Sequence, residues 1–376
     1  MELLDNLVVL TGIPKSGTSL LMDLLDGHPN YLLYPGEPYF RVLMFRKYED
    51  AFHMLADWLC EQSYVMTLKP EFRSLVEGKR SRYSRAIDRE ILKPLIDRLE
   101  NGRISDVIER AKIFSQEQNP WEKMNFDLFR DEFYDSFLRN LGSASECTIL
   151  IRAVFQGLYS SLDPEIRGKA RMCLFKDPGF FNFDLLKRDF PKAKCLFIAR
   201  DLRGTFNSAL RSFQKQKGKY MSRWNLRRFL FALNAGKTIF FPEKFFRIRH
   251  SGFENDIHVV KYEDCVLNTE TTMRSIAQFL ESDYDEILTV PTKFGIPVTT
   301  GTATSAGRGE VSARSVEAWK KELNPFEKFY FQQLMAAVPD YADLYLPPSP
   351  FHCIPRLLLQ PLIRCLSCSL AVARGN

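Results

Sequence analysis

Gly12 and Gly17 frame a turn in the segment "TGIPKSGTSLLMDLLDGHP" whose residue types suit the binding of an anion. Backbone N–H groups of a glycine turn, with the N-terminus of the helix that follows, converge on a phosphate whatever the neighbouring side chains are. The spacing is that of a nucleoside-triphosphate loop, which reads Gly, four residues, Gly, Lys, then Ser or Thr. Here Thr18 stands where the lysine belongs, and Lys15 lies three places earlier. The lysine of that loop serves β and γ phosphates. Its displacement argues against ATP or GTP hydrolysis and for a donor with a shorter anionic chain, in which Lys15 meets the oxygen bridging phosphate and the transferring group. A second stretch, "CLFIARDLRGTFNSALRSF", sets Arg200 at the end of an apolar run and Ser208 in the helical pattern after it. A guanidinium fork and a hydroxyl suit a second, separate phosphate. Together the two stretches describe one ligand with a phosphate group at each of two strand ends.

The elements that must position these residues alternate between short apolar runs and helical patterns. "LVVLTGI" precedes a helix over about 19–25, "RMCLFKD" precedes "FFNFDLLKRDF", "AKCLFIARD" precedes "LRGTFNSALRSFQK", and "IHVVKYED" precedes "TETTMRSIAQFL". Repeated strand, turn and helix predict an α/β fold: a three-layer arrangement like that of the P-loop proteins, with a mostly parallel central sheet flanked by helices. Ligands of such sheets gather beyond the carboxyl ends of the strands, and the candidate residues fall just after those runs. Between Phe40 and about Gly168 the alternation gives way to charged helix-periodic stretches, read as a helical insertion or cap over 41–168 within a single domain, 1–346. The run from Lys79 to Arg103 in it holds eight bases and four acids, a composition that suits a solvated helix face. The loop "TTGTATSAGRGEVSARS" after Pro291 is long enough for a functional role.

The 376 residues, 45% hydrophobic and 26% charged, exclude a disordered or fibrous chain. A net charge of +6 is too mild for nucleic acid and compatible with an anionic substrate. Of the eight cysteines, Cys173 and Cys195 sit inside apolar runs, which predicts buried thiols and a reducing, cytoplasmic compartment. Cys365 and Cys368 form a C-x-x-C with no partner pair at zinc spacing, so no metal site is expected. They belong to an apolar and basic tail, 347–376, whose run 357–373 is interrupted by Pro361 and Arg364; packing against the domain is the first reading, and peripheral contact with a bilayer the second. His28, before a proline at a helix end, suits a turn more than catalysis. Arg211 to Arg228 holds seven bases and no acid, a solvated face or a contact for an anionic acceptor.

On these residues the chain resembles the sulfotransferases that use 3′-phosphoadenosine 5′-phosphosulfate (PAPS), in the branch with the tyrosylprotein sulfotransferases and bacterial carbohydrate or lipid enzymes. "PKSGTS" is similar to that family's 5′-phosphosulfate loop, which implies donor contacts from Pro14, Lys15, Ser16, Gly17, Thr18 and Ser19; Arg200 and Ser208 are similar to its 3′-phosphate motif. "LLDGHPNYLLYPGEPYF" resembles the stretch whose Gly-Glu pair supplies the general base, implying Glu37. "LFKDPGFF" resembles the turn whose lysine steadies the transferring sulfuryl group, implying Lys176, and "VVKYED" implies that Tyr262 borders the nucleotide. Arg308 and Arg314 correspond to a late loop that closes over the nucleotide.

The resemblance implies in-line sulfuryl transfer from PAPS, with Glu37, Lys15 and Lys176 catalytic and no metal required. The expected acceptor is a carbohydrate or lipid hydroxyl, because an insertion longer than in the tyrosylprotein branch, and no anchor like that of the animal Golgi enzymes, weigh against protein tyrosine. Two other readings stay open: a magnesium-dependent P-loop kinase, and a nucleotide-binding protein without turnover.

Overall fold

The computed structural model describes residues 2–34, 37, 38, 40, 54, 125–142, 145–162, 164–179, 182–217, 221, 222, 224–236, 240–293, 295–299 and 307–347. Most of the 41–168 stretch, all of Lys79 to Arg103, and the tail with Cys365 and Cys368 lie outside them. Strand β1 (Leu7–Gly12) leads into α1 (Thr18–Leu25) and β2 (Tyr31–Leu33). Helices α2 (Phe126–Arg139), α3 (Glu146–Ser161) and α4 (Pro164–Lys169) precede β3 (Met172–Lys176), α5 (Phe183–Asp189) and β4 (Lys194–Ala199). Then come α6 (Leu202–Lys217), α7 (Leu226–Gly236), α8 (Phe240–Arg249), β5 (Ile257–Lys261), α9 (Tyr262–Leu267) and α10 (Thr269–Leu280). A two-residue hairpin, β6 (Thr292–Lys293) and β7 (Ile296–Pro297), precedes α11 (Ala318–Glu322), α12 (Pro325–Ala336) and α13 (Pro339–Tyr345).

The central sheet has five parallel strands in the order β2-β3-β1-β4-β5. Its inner strands β3, β1 and β4 are nearly continuous apolar runs because both faces are covered, whereas the edge strand β5 carries the partly buried His258. Side chains alternate across the sheet: Leu7 and Val9 of β1, Cys173 and Phe175 of β3, and Cys195 and Phe197 of β4 join the core formed with α2, α3, α6 and α12. Val8, Leu10, Leu174, Leu196 and Ile198 point the other way, into a core closed by α1 and α10. This is the expected α/β architecture, with helices on both faces. Phe155 of α3 lies 6.5 Å from Phe175, so the described end of the long helical stretch forms part of a layer on the sheet.

Cys173, Cys195 and Cys265 are buried free thiols, and burial pushes each of them up from the usual thiol range. Among the described residues no helix is long and apolar enough to cross a membrane. β1 sits at the centre of the sheet between β3 and β4, so the turn after it is flanked by the turns that follow its neighbours. Register completes the alignment: Leu10 pairs with Lys176, Gly12 with Ile198, and Ala199 with Lys261. Four strand ends therefore open on one edge, and the candidate residues sit there.

Candidate functional site

The turn after β1 is built by close approach. The Ser16 N–H donates to the Ile13 carbonyl at 2.9 Å, folding the chain back before α1 begins. A Cβ on Gly12 would stand 2.6 Å from the Ile198 carbonyl oxygen, and one on Gly17, at φ 110°, would stand 2.3 Å from the Tyr262 ring. Neither position admits a side chain. Between them Lys15 adopts φ 74°, a left-handed conformation costing about 1–2 kcal/mol for a residue with a Cβ. Its carbonyl accepts a hydrogen bond from Arg200 Nη1 at 3.2 Å, one of the contacts that hold it there.

The turn after β3 is pinned to β1 through backbone and one hydroxyl. Thr11 Oγ1 donates to the Asp177 carbonyl at 3.0 Å, the Asp177 N–H to the Leu10 carbonyl at 2.9 Å, and the Gly179 N–H to the Gly12 carbonyl at 2.9 Å. Lys176 is thereby fixed beside the loop. Its Nζ donates to Ser19 Oγ at 3.0 Å and pairs with Glu37 Oε1 at 3.0 Å, with the lysine side chain 9% exposed and the glutamate 29%. Glu37 arrives from β2, whose pairing with β3 is extended by the Tyr34 N–H to the Leu174 carbonyl at 2.8 Å. Lys15 completes this cluster. Partial desolvation and the nearby Lys176 charge hold its pKa below the usual 10.5, while Glu37 pulls it upward.

At the other side of the loop Arg200 follows β4 and is 5% exposed. Besides the Lys15 carbonyl it reaches the Ser315 carbonyl through Nη2 at 3.1 Å, and its guanidinium carbon lies 4.0 Å from the centroid of the Tyr262 ring. Tyr262 in turn shares a 2.6 Å hydrogen bond with Ser315 Oγ. A Cβ on Gly204 would stand 3.1 Å from Arg200 Nε. The arginine therefore lies along the face of α6 on which Ser208, one turn further and half-buried, also falls. Two polar atoms here are buried with no hydrogen-bond partner: Ser16 Oγ and Arg200 Nε. Such an orphan costs about 1–3 kcal/mol.

Other expected residues fall differently. His28 is structural: its Nδ1 accepts the Asn30 N–H at 3.2 Å, which leaves Nε2 to donate to the Asp283 carbonyl at 3.0 Å. Arg308 Nε donates to the Pro297 carbonyl at 2.5 Å, beside β7, and Arg314 is exposed. Ser315 of the same loop touches the site directly, and no pattern in the sequence singles it out. In the basic run, Arg228 is 3% exposed and clamps Glu327 through Nε at 2.6 Å and Nη2 at 2.7 Å, with the Glu322 carbonyl 2.9 Å from Nη2; Arg211 pairs with the Glu322 carboxylate. Those two bases hold helices together. Among the described residues no group of three or more His, Cys, Asp or Glu is placed to hold a metal ion.

The arrangement is two cationic positions sharing one loop: Lys15 and Lys176 with an ionisable acid between strand ends, and Arg200 backed by an aromatic ring. Residues 93–286 match the model of the sulfotransferase family, and this stretch carries β3, β4 and β5 with Lys176, Arg200, Ser208 and Tyr262. No curated protein matches the chain. Among solved structures it is similar to the sulfotransferase domain of the Synechococcus PCC 7002 olefin synthase, at 14% identity, TM-score 0.46, over 93% of this chain and 98% of that one. It is also similar to the sulfotransferase domain of the curacin biosynthetic pathway (15%, 0.46, 89% and 97%) and to sulfotransferase STF9 of Mycobacterium avium (16%, 0.37, 76% and 66%). The family match covers just over half of the sequence, 194 of 376 residues, and on it the chain belongs to the sulfotransferase family.

Proposed function

We propose that this sulfotransferase moves a sulfuryl group from PAPS to a carbohydrate or lipid hydroxyl, with Glu37 as general base. The observation that carries the reading is the pair of cationic positions on opposite sides of one glycine loop, Lys15 with Lys176 on one side and Arg200 on the other. They fit a nucleotide with phosphate at both its 5′ and 3′ positions: Pro14 to Ser19 for the phosphosulfate, Arg200 and Ser208 for the 3′-phosphate, and Tyr262 beside the nucleotide. Arg308 and Arg314 belong to the loop that would cover it. The reading takes 1–346 as one cytoplasmic domain and leaves the tail, 347–376, to packing or to bilayer contact.

The chemistry is positioning and charge stabilisation. The acceptor oxygen forms a bond to sulfur as the bond from sulfur to the bridging phosphate oxygen breaks. Glu37 takes the hydroxyl proton, and the 3′,5′-bisphosphate carries away the electron pair. Lys15 neutralises charge on the bridging oxygen, and Lys176, already held between Ser19 and Glu37, serves the sulfuryl oxygens. Assay with labelled PAPS and calorimetry with the bisphosphate test this together. Glu37→Gln is expected to lose about 10²–10⁴-fold in transfer while binding the bisphosphate normally, and Lys15→Ala to abolish transfer. Loss of bisphosphate binding in Glu37→Gln would remove its assignment as base.

A further inference from the structure

A cavity of about 300 Å³ opens between the anion loop and helices α6, α7 and α12. Pro14 and Lys15 form one wall; Phe206, Ala209 and Phe213 of α6 and Phe331 of α12 form much of the rest. Positions 202, 206, 209 and 213 recur at helical spacing and make one apolar stripe of α6. Gly204 and Ser208, on the Arg200 side, lie between about a third and a half of a turn round the same helix. The helix thus shows one face to the arginine position and another to the cavity. Thr205 also lines the cavity, with its Oγ1 turned away and buried.

We infer that this cavity receives the non-reacting part of the acceptor, and that the acceptor is an alcohol with an apolar chain or ring rather than a free polyol. The inference rests on the sulfuryl-transfer reading. Lys15 links the two regions, because it walls the cavity and also belongs to the cluster with Glu37 and Lys176. An alcohol whose hydroxyl meets Glu37 can therefore place its hydrocarbon part against α6 without crossing the arginine side. A site of this volume lies at the lower end of those that hold small organic ligands, which suits a medium alkyl chain or an aryl group. A sugar in the same place would leave many of its hydroxyls facing phenylalanine rings without partners.

The test uses the full chain, a series of linear alkanols from butanol to decanol, and glucose for comparison, with binding read by calorimetry in saturating 3′,5′-bisphosphate and transfer read as KM. Affinity is expected to rise about fourfold per methylene until the cavity is full, with glucose not binding. Ala209→Phe, which fills the cavity, is expected to weaken the longer alkanols at least tenfold and to leave bisphosphate affinity unchanged. Ala209→Leu makes the same test with less added bulk should the phenylalanine variant fail to fold. A flat alkanol series, or equal affinity in wild type and either variant, with bisphosphate binding intact, overturns the acceptor assignment alone. Alkanol binding in a protein that does not bind the bisphosphate overturns the transfer reading, and the acceptor role with it.

Discussion

Arg200 and Arg228 are both buried, and the protein uses them in opposite ways. Arg228 sits between α7 and the start of α12 with its Nε and Nη2 on the Glu327 carboxylate, which is itself 1% exposed. Glu327 is also the third residue of a capping box: it accepts the Asn324 N–H at 2.9 Å, while Asn324 Oδ1 accepts the Glu327 N–H at 2.8 Å. Charge, fork and helix end are all answered within the chain. Among the described residues Arg200 makes no ion pair, although its charge acts on the nearby Glu263 carboxylate. It spends Nη1 and Nη2 on two carbonyls, rests on Tyr262, and keeps Nε without a partner. A buried cation with a full set of partners belongs to the architecture; one that gives its hydrogen bonds to carbonyls and keeps a donor over suits the anion proposed for it.

The strongest test of that contrast is Arg228→Ala. It strands a buried carboxylate, and a loss of about 3–5 kcal/mol of stability is expected by thermal or denaturant unfolding, with bisphosphate affinity of the folded fraction unchanged. A loss under 1 kcal/mol would place Arg228 among the ordinary surface bases. Arg200→Ala should invert the pattern, weakening the bisphosphate about 10- to 150-fold, as removal of a charged hydrogen bond does, and weakening AMP far less. Equal losses for both ligands would take the 3′-phosphate away from Arg200. The smallest effect concerns Lys15. Because its pKa is lowered, its charge is lost at lower pH than an ordinary lysine's, so bisphosphate binding should fall along an alkaline limb centred below 10.5. Glu37→Gln removes a charge that raises this pKa and should move the limb further down. Lys176→Ala removes one that lowers it and should move the limb up; no movement in either variant would separate Lys15 from the cluster.

What the sequence discloses here follows from how local the cause is. The parallel strands are visible as apolar runs because both of their faces are buried, and the loop is visible because close contacts with Ile198 and Tyr262 admit only glycine at 12 and 17. Arg200 and Ser208 are legible as a pair because only eight residues of one strand-to-helix connection separate them. Ser315 is not, since its place beside Arg200 and Tyr262 depends on a return of the chain from 115 residues further along. The Arg228 clamp is hidden for a related reason. Its partner lies 99 residues away, and a basic run reads alike whether its members face water or a buried acid.

The loop at the head of α1 comes to its ligand with its freedom already surrendered. Lys15 has been driven into its awkward backbone conformation, and fastened there by Arg200, as the protein folds. A ligand docking as proposed would require no rearrangement of that turn, so the entropy of ordering it falls to folding instead of to affinity. The same fastening couples the two sides of the loop, because a shift at the arginine is passed through one carbonyl to Lys15.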